Sequence, residues 1–209
     1  MMLPIPFAYP AVPHRRRHGP RGYKDYGNYK PFLRDEFVFR CVYCLEREMW
    51  YPNRGDSFSV EHFIPKTIEP DKERDYENLL YACVRCNTYK QTSITLLDPT
   101  KVAFSDYFSV NEDGYITGLS PEANDLLDLL DLNNNPALEE RRKALCLLRL
   151  KKRLPDVKDV HDLFISHFAY PEDLPDLESL RPPDGNVRPE GIQDSHLARK
   201  KRNELAEVY

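Results

Sequence analysis

The sequence contains no apolar run approaching the roughly 18–20 residues that a membrane-spanning helix requires, which excludes a helical span. It also lacks the pattern of a secretory leader. The opening MMLPIPFAYPAVPHRRRH is apolar but broken by Pro4, Pro6, Pro10 and Pro13, and its arginines follow the apolar part instead of preceding it. The expected location is therefore the cytoplasm. Five cysteines in a reducing compartment do not suit a disulfide framework. A uniformly basic character is missing too, since 30 Lys/Arg stand against 34 Asp/Glu for a formal net charge of −4. No internal repeat is present.

What the chain does have is sorted charge. Residues 14–30 carry six Lys/Arg against Asp25, and residues 139–153 carry seven against Glu139 and Glu140. Residues 199–202 read RKKR, whereas residues 112–138 hold six acids and no Lys/Arg. A local basic face can bind phosphates whatever the total charge. The plainer alternative for each block is a solvated helix face or a loose arm. Hydrophobic residues at 41% suffice for a core, while 31% charged residues and 18 prolines point to long surface connections.

The spacing predicts an α+β chain. Residues 1–30 read as a Pro-rich and then Arg/Tyr-rich arm, ordered only where it docks. PFLRDEFVFR (31–40) has near-helical apolar spacing, SFSVEHFI (57–64) alternates as a strand, and NLLYAC (78–83) reads as a second strand. Between the strands lies a polar loop with Pro65 and Pro70, and a short helix is expected to begin near Asn87. Gly114–Gly118 suggests a hairpin. Ser120 and Pro121 open a helix that Asn133–Asn135 and Pro136 break, with further helices over 137–153 and 157–169. Residues 170–190 read as a linker or strap, and 194–207 as a last helix. Four segments follow: an arm (1–30), a core (31–110), a helical extension (111–170), and a Pro-rich linker with a basic helix (171–209).

Four of the cysteines form two pairs, Cys41-Val-Tyr-Cys44 and Cys83-Val-Arg-Cys86. Thiolates three positions apart on a tight turn reach one tetrahedral zinc, and two such knuckles complete a closed, structural site. Cys146, in the apolar run ALCLLRL, is expected to be a buried structural thiol. Between and beside the knuckles stand Glu61-His62, Asn78, and Asn87 directly after Cys86. A lone histidine in an alternating strand is more often a packing residue than a catalyst.

The combination CVYC, EHFIPK, ENLLYACVRCN and Lys90 resembles the HNH endonuclease family over about residues 37–90. The resemblance implies a small zinc-stapled ββα-metal core, here with a helical C-terminal extension and Pro-rich arms. It implies that His62 is the general base, that Glu61 and Asn87 present oxygens to a magnesium or manganese ion, and that Asn78 orients His62 through the nearby backbone. The family often has Asp before the histidine, where this chain has Glu61. Neighbours on a flat strand face opposite ways, so Glu61 would reach the metal around a bend, bind it through water, or leave it to Asn87 and other groups. Lys90 and Arg85 are expected near phosphate. The core between 41 and 90 is not markedly basic, so further phosphate contacts are expected from Arg15, Arg16 and Arg17 in the arm and from Arg141, Arg142 and Arg149 in the helical extension. The substrate implied is DNA. The family also appears in bacterial defence beside partners such as an NTPase, for which residues 119–169 offer a docking surface. The competing reading is a non-catalytic four-cysteine zinc module that binds nucleic acid or a protein. It would need the cysteines but has no reason to place Glu-His, Asn and Asn at these spacings. Oligomeric state is not readable from the sequence.

Overall fold

The computed structural model describes residues 3–209. Helix α1 (Lys30–Glu36) starts with Pro31 in its first turn, where a missing N–H costs nothing, and buries Phe32 and Leu33. Strands β1 (Phe58–His62) and β2 (Leu79–Cys83) pair antiparallel, with Phe58 opposite Cys83 and His62 opposite Leu79. All five residues of β2 are buried, and Phe58 stacks on Tyr81 with ring centroids 5.2 Å apart. Helix α2 (Val84–Lys90) follows β2 without a loop, and the Cys83 sulfur caps it by accepting the Cys86 N–H at 3.5 Å. This helix starts at Val84, ahead of the position expected near Asn87, because the knuckle cysteine itself serves as the N-cap. The result is a ββα unit with one cysteine pair at its strand-to-helix junction. The other pair is held alongside by the Val42 N–H donating to the Tyr81 carbonyl at 3.0 Å.

Beyond this unit, β3 (Phe108–Val110) and β4 (Ile116–Gly118) form the expected hairpin. Helix α3 (Pro121–Leu129) is capped by the Ser120 hydroxyl, which accepts from Ala123 N–H at 3.2 Å. Helices α4 (Asn135–Arg153) and α5 (Lys158–Phe168) pack against each other. The last helix is shorter than the expected 194–207: after the brief α6 (Glu190–Gln193), α7 spans only His196–Lys201. No helix among the described residues is long and apolar enough to cross a membrane.

One expectation about placement fails. Cys146 is exposed, not buried. The inner stripe of α4 runs through Leu138, Arg141, Ala144 and Leu147, and Cys146, two positions after Ala144, falls about 200° around the helix from it. The arm docks on the core. Phe7 and Tyr9 are buried, and the Tyr9 hydroxyl donates to the Tyr43 carbonyl at 2.7 Å.

Adjacent carboxylates at the end of α1 anchor the arm. Glu36 takes His14 Nε2 at 2.8 Å, Arg16 at 3.3 Å and the Tyr76 hydroxyl at 2.7 Å. Asp35 takes His18 Nε2 at 2.9 Å, Arg17 at 2.9 Å and His196 Nδ1 at 2.8 Å. Burial acts to raise both carboxyls, but these histidine and arginine partners overcome it and hold both below the ordinary range. Gly191 lies so close to the Arg17 carbonyl that no side chain fits there, which lets α6 close over the arm. The N- and C-terminal segments are thus tied together through Asp35.

Candidate active site

The four knuckle sulfurs lie within 4.8 Å of one another and are fully buried, with Cys44 Sγ and Cys83 Sγ 3.7 Å apart. Thiolates bound at ~2.3 Å around a tetrahedral ion stand about 3.8 Å from each other, so the cluster fits one metal ion with no position left open. Arg85, between the second pair, is half-buried and pairs with the buried Glu46 at 3.4 Å. Burial acts to lower its guanidinium, yet Glu46 and the nearby sulfurs outweigh that and hold it above its ordinary value. Its charge balances the cluster rather than facing outward.

A cleft of about 230 Å³ opens where β1 ends, lined by Glu61, His62 and Asn87 together with Tyr26, Lys66 and Gln91. Neighbouring strand residues reach one cleft because it sits at the strand end, where the two faces meet. Glu61 and Ser59 share the face covered by α2: Lys90 meets Glu61, and Asn87 Nδ2 donates to the Ser59 hydroxyl at 2.8 Å. His62 has the opposite parity, and its ring turns out of the pair at the last position of β1.

The His62 ring is fixed by a backbone contact. Its Nε2 lies 2.9 Å from the Glu73 carbonyl, which has no proton to give, so Nε2 carries the hydrogen and Nδ1 the lone pair. Burial, the largest influence on the imidazole, lowers its pKa, so the ring is neutral at pH 7 and Nδ1 can accept a proton. Asn78 holds the chain just beyond. Its Oδ1 accepts the Ile64 N–H at 2.8 Å, and its Nδ2 donates to the carbonyls of Ile64 at 2.9 Å and Lys72 at 3.2 Å. One amide therefore closes the loop that carries the Glu73 carbonyl back onto the end of β1.

Lys90 departs most from expectation. It is wholly buried, with its ammonium 2.6 Å from Glu61 Oε1 and donating to the carbonyls of His62 at 2.9 Å and Phe63 at 3.1 Å. Every direction in which it could meet phosphate is taken, so it is an internal brace. Burial pushes the Glu61 carboxyl up to about 7, with Lys90 pulling the other way. With Lys90 on Oε1, Glu61 keeps its second oxygen for the cleft. Asn87 spends its amide hydrogens on Ser59 and Val60 and keeps Oδ1. A carboxylate and an amide oxygen at one cleft are hard donors that fit a magnesium- or manganese-like ion.

The basic blocks behave differently from expectation. Arg16 is buried and donates to the carbonyls of Glu77 and Leu79. Arg17 is bound to Asp35. Arg141 is fully buried and hydrogen-bonded to the Leu132 carbonyl and Asn133 Oδ1 at 2.7 and 3.1 Å, as well as to the Gly114 carbonyl. Arg16 and Arg141 are thus interior residues, since a cation wrapped by carbonyls and carboxylates cannot also face DNA. Arg142 and Arg149 are exposed and lie on the carbonyls of Asp113 and Glu112 in the hairpin turn; Arg15 is exposed. None of these six lines the cleft. The arm does reach the cleft, but through Tyr26, which no sequence signal marked. Lys66, inside the quoted EHFIPK, was legible by position alone.

A ββα unit stapled by two cysteine pairs, with a histidine and an asparagine lining its cleft and a second asparagine closing the loop beside it, is the arrangement that the resemblance to the HNH endonuclease family implied. Residues 41–93 match the family model described as HNH endonuclease. Over 63 residues the chain is also 38% identical to Septu protein PtuB of Bacillus thuringiensis, a stretch covering 29% of this chain and 22% of that protein.

Proposed function

We propose that this protein is a metal-dependent endonuclease that hydrolyses DNA phosphodiester bonds, with His62 as general base. The observation that supports this best is the fixed tautomer of His62 in an open cleft shared with Glu61 and Asn87. A non-catalytic module would need only the cysteines. His62 Nδ1 takes a proton from water as its oxygen attacks phosphorus, and the phosphorus–O3′ bond breaks as the 3′ oxygen leaves. The Glu73 carbonyl keeps the ring from turning, and Asn78 keeps the loop bearing that carbonyl in place. Glu61 and Asn87 would hold the divalent cation, which when bound stabilises charge on the phosphate and the leaving oxygen. Zinc is the ion assigned to the four cysteines, with a structural role only.

The setting proposed is bacterial defence, with a partner protein such as an NTPase that presents the DNA. The similarity to Septu protein PtuB supports it. Purified protein should cut plasmid, linear duplex or single-stranded DNA when magnesium or manganese is added, and leave all three intact when both are omitted. Absence of cleavage on every substrate, with zinc present and the partner supplied, would reject the nuclease reading.

A further inference from the structure

The cleft beside His62 has the chemistry of a base but little visible charge for holding a phosphate. Lys90 is enclosed, and the arginines expected to supply that charge are interior or absent from the lining. Lys66 is different. It lines the cleft with its side chain 45% exposed, and it is the one Lys or Arg among the lining residues. Its ammonium sits 4.7 Å from the centre of the Tyr26 ring, and that ring meets His62 edge-on at a centroid distance of 4.7 Å. Among the described residues its only ionic partner is the exposed Glu73 carboxylate at 3.2 Å, and the same residue's carbonyl holds His62 Nε2. Tyr26, His62, Glu73 and Lys66 therefore form one closed ring of contacts around the proton acceptor.

We propose that Lys66 is the phosphate-binding cation of this site, aimed by Tyr26, and that it receives a non-bridging oxygen of the nucleic-acid backbone next to the phosphorus attacked by the water that His62 deprotonates. This rests on the nuclease reading above. The pair with Glu73 does not prevent it. An exposed Lys–Glu pair is worth little in water, so a phosphate can take the place of the carboxylate without disturbing the fold. Glu73 then acts as a placeholder that keeps the ammonium pointing at the cleft. Tyr26 is a positioning residue: its ring gives the lysine a face to rest on and gives His62 an edge that limits its rotation.

The test measures binding of a fluorescein-labelled DNA duplex by anisotropy across a salt titration, without magnesium or manganese. It uses zinc-loaded wild type, Lys66→Ala, Lys66→Arg, Glu73→Gln and Tyr26→Phe. Lys66→Ala should weaken binding about tenfold at low salt, as expected for loss of a charge-assisted contact. It should also flatten the slope of log K against log salt by about 0.9. Lys66→Arg should restore most of both. Glu73→Gln, which removes the competing carboxylate and leaves the carbonyl in place, should bind tighter, and Tyr26→Phe should bind normally. Unchanged affinity and salt slope in Lys66→Ala would overturn the assignment even if the wild type cleaves DNA. The expected binding pattern in a protein that cleaves nothing would instead sustain the phosphate site and reject the hydrolytic reading.

Discussion

Replacing Lys90 with Met removes a charge from the most enclosed ion pair at the site. Lys90 is fully buried and Glu61 is 2% exposed, so the variant leaves a carboxylate inside the protein with no counter-charge and frees the carbonyls of His62 and Phe63. Breaking a buried pair from one side typically costs about 3–5 kcal/mol. The loss should depend on pH with a definite sign. The Glu61 carboxyl is already raised to about 7 in the folded protein, above its unfolded value, so its contribution to stability is full at low pH and is lost as pH rises through the folded pKa. Without Lys90 that pKa rises further. The variant should therefore fall further behind the wild type at pH 8 than at pH 6, by about 1 kcal/mol. Adding Glu61→Gln should recover much of the loss and abolish the extra pH dependence. Urea unfolding of zinc-loaded protein at both pH values, without magnesium, measures all four states of the cycle. A single variant within about 0.5 kcal/mol of wild type at both pH values would show that Lys90 behaves as a surface residue, and the brace assigned to it would be wrong.

Two further outcomes follow from the same geometry. Cys83→Ser removes one metal ligand and the N-cap of α2 together, so it should release zinc and leave poorly soluble protein; metal analysis showing a full complement of zinc in a stable variant would contradict the four-sulfur site. At saturating magnesium, kcat/KM should hold steady down to a pH below about 6.5, because burial lowers the His62 pKa and the base works in its neutral form; an acid limb well above that value would place the titrating group elsewhere.

The readable parts of this protein are the local ones. Cysteine pairs, the Glu-His step, and an asparagine after a cysteine act through spacing, and spacing survives in a bare sequence. β1, β2, the hairpin and the Ser120 cap were legible for the same reason. Charged residues were not. Lys90, Arg16 and Arg141 looked like solvent-facing cations because their acceptors are backbone carbonyls or carboxylates brought in by the fold. No periodicity announces such partners. The arm's docking site was hidden on the same ground: it is made by Asp35 and Glu36, which read as ordinary helix-end acids until the chain folds. Cys146 shows the limit of reading an apolar run, since ALCLLRL does not reveal which residues of the helix face inward.

The central claim is that His62 transfers the proton, and His62→Ala tests it most directly. Cleavage and duplex binding should be measured on the same zinc-loaded preparations of variant and wild type. The account predicts that cleavage falls about 10²–10⁴-fold, as for loss of a positioned base. It also predicts that affinity without magnesium stays close to wild type, because the phosphate is held by Lys66 and not by the imidazole. Unchanged cleavage by His62→Ala would leave the histidine as a packing partner of Tyr26 and contradict the account.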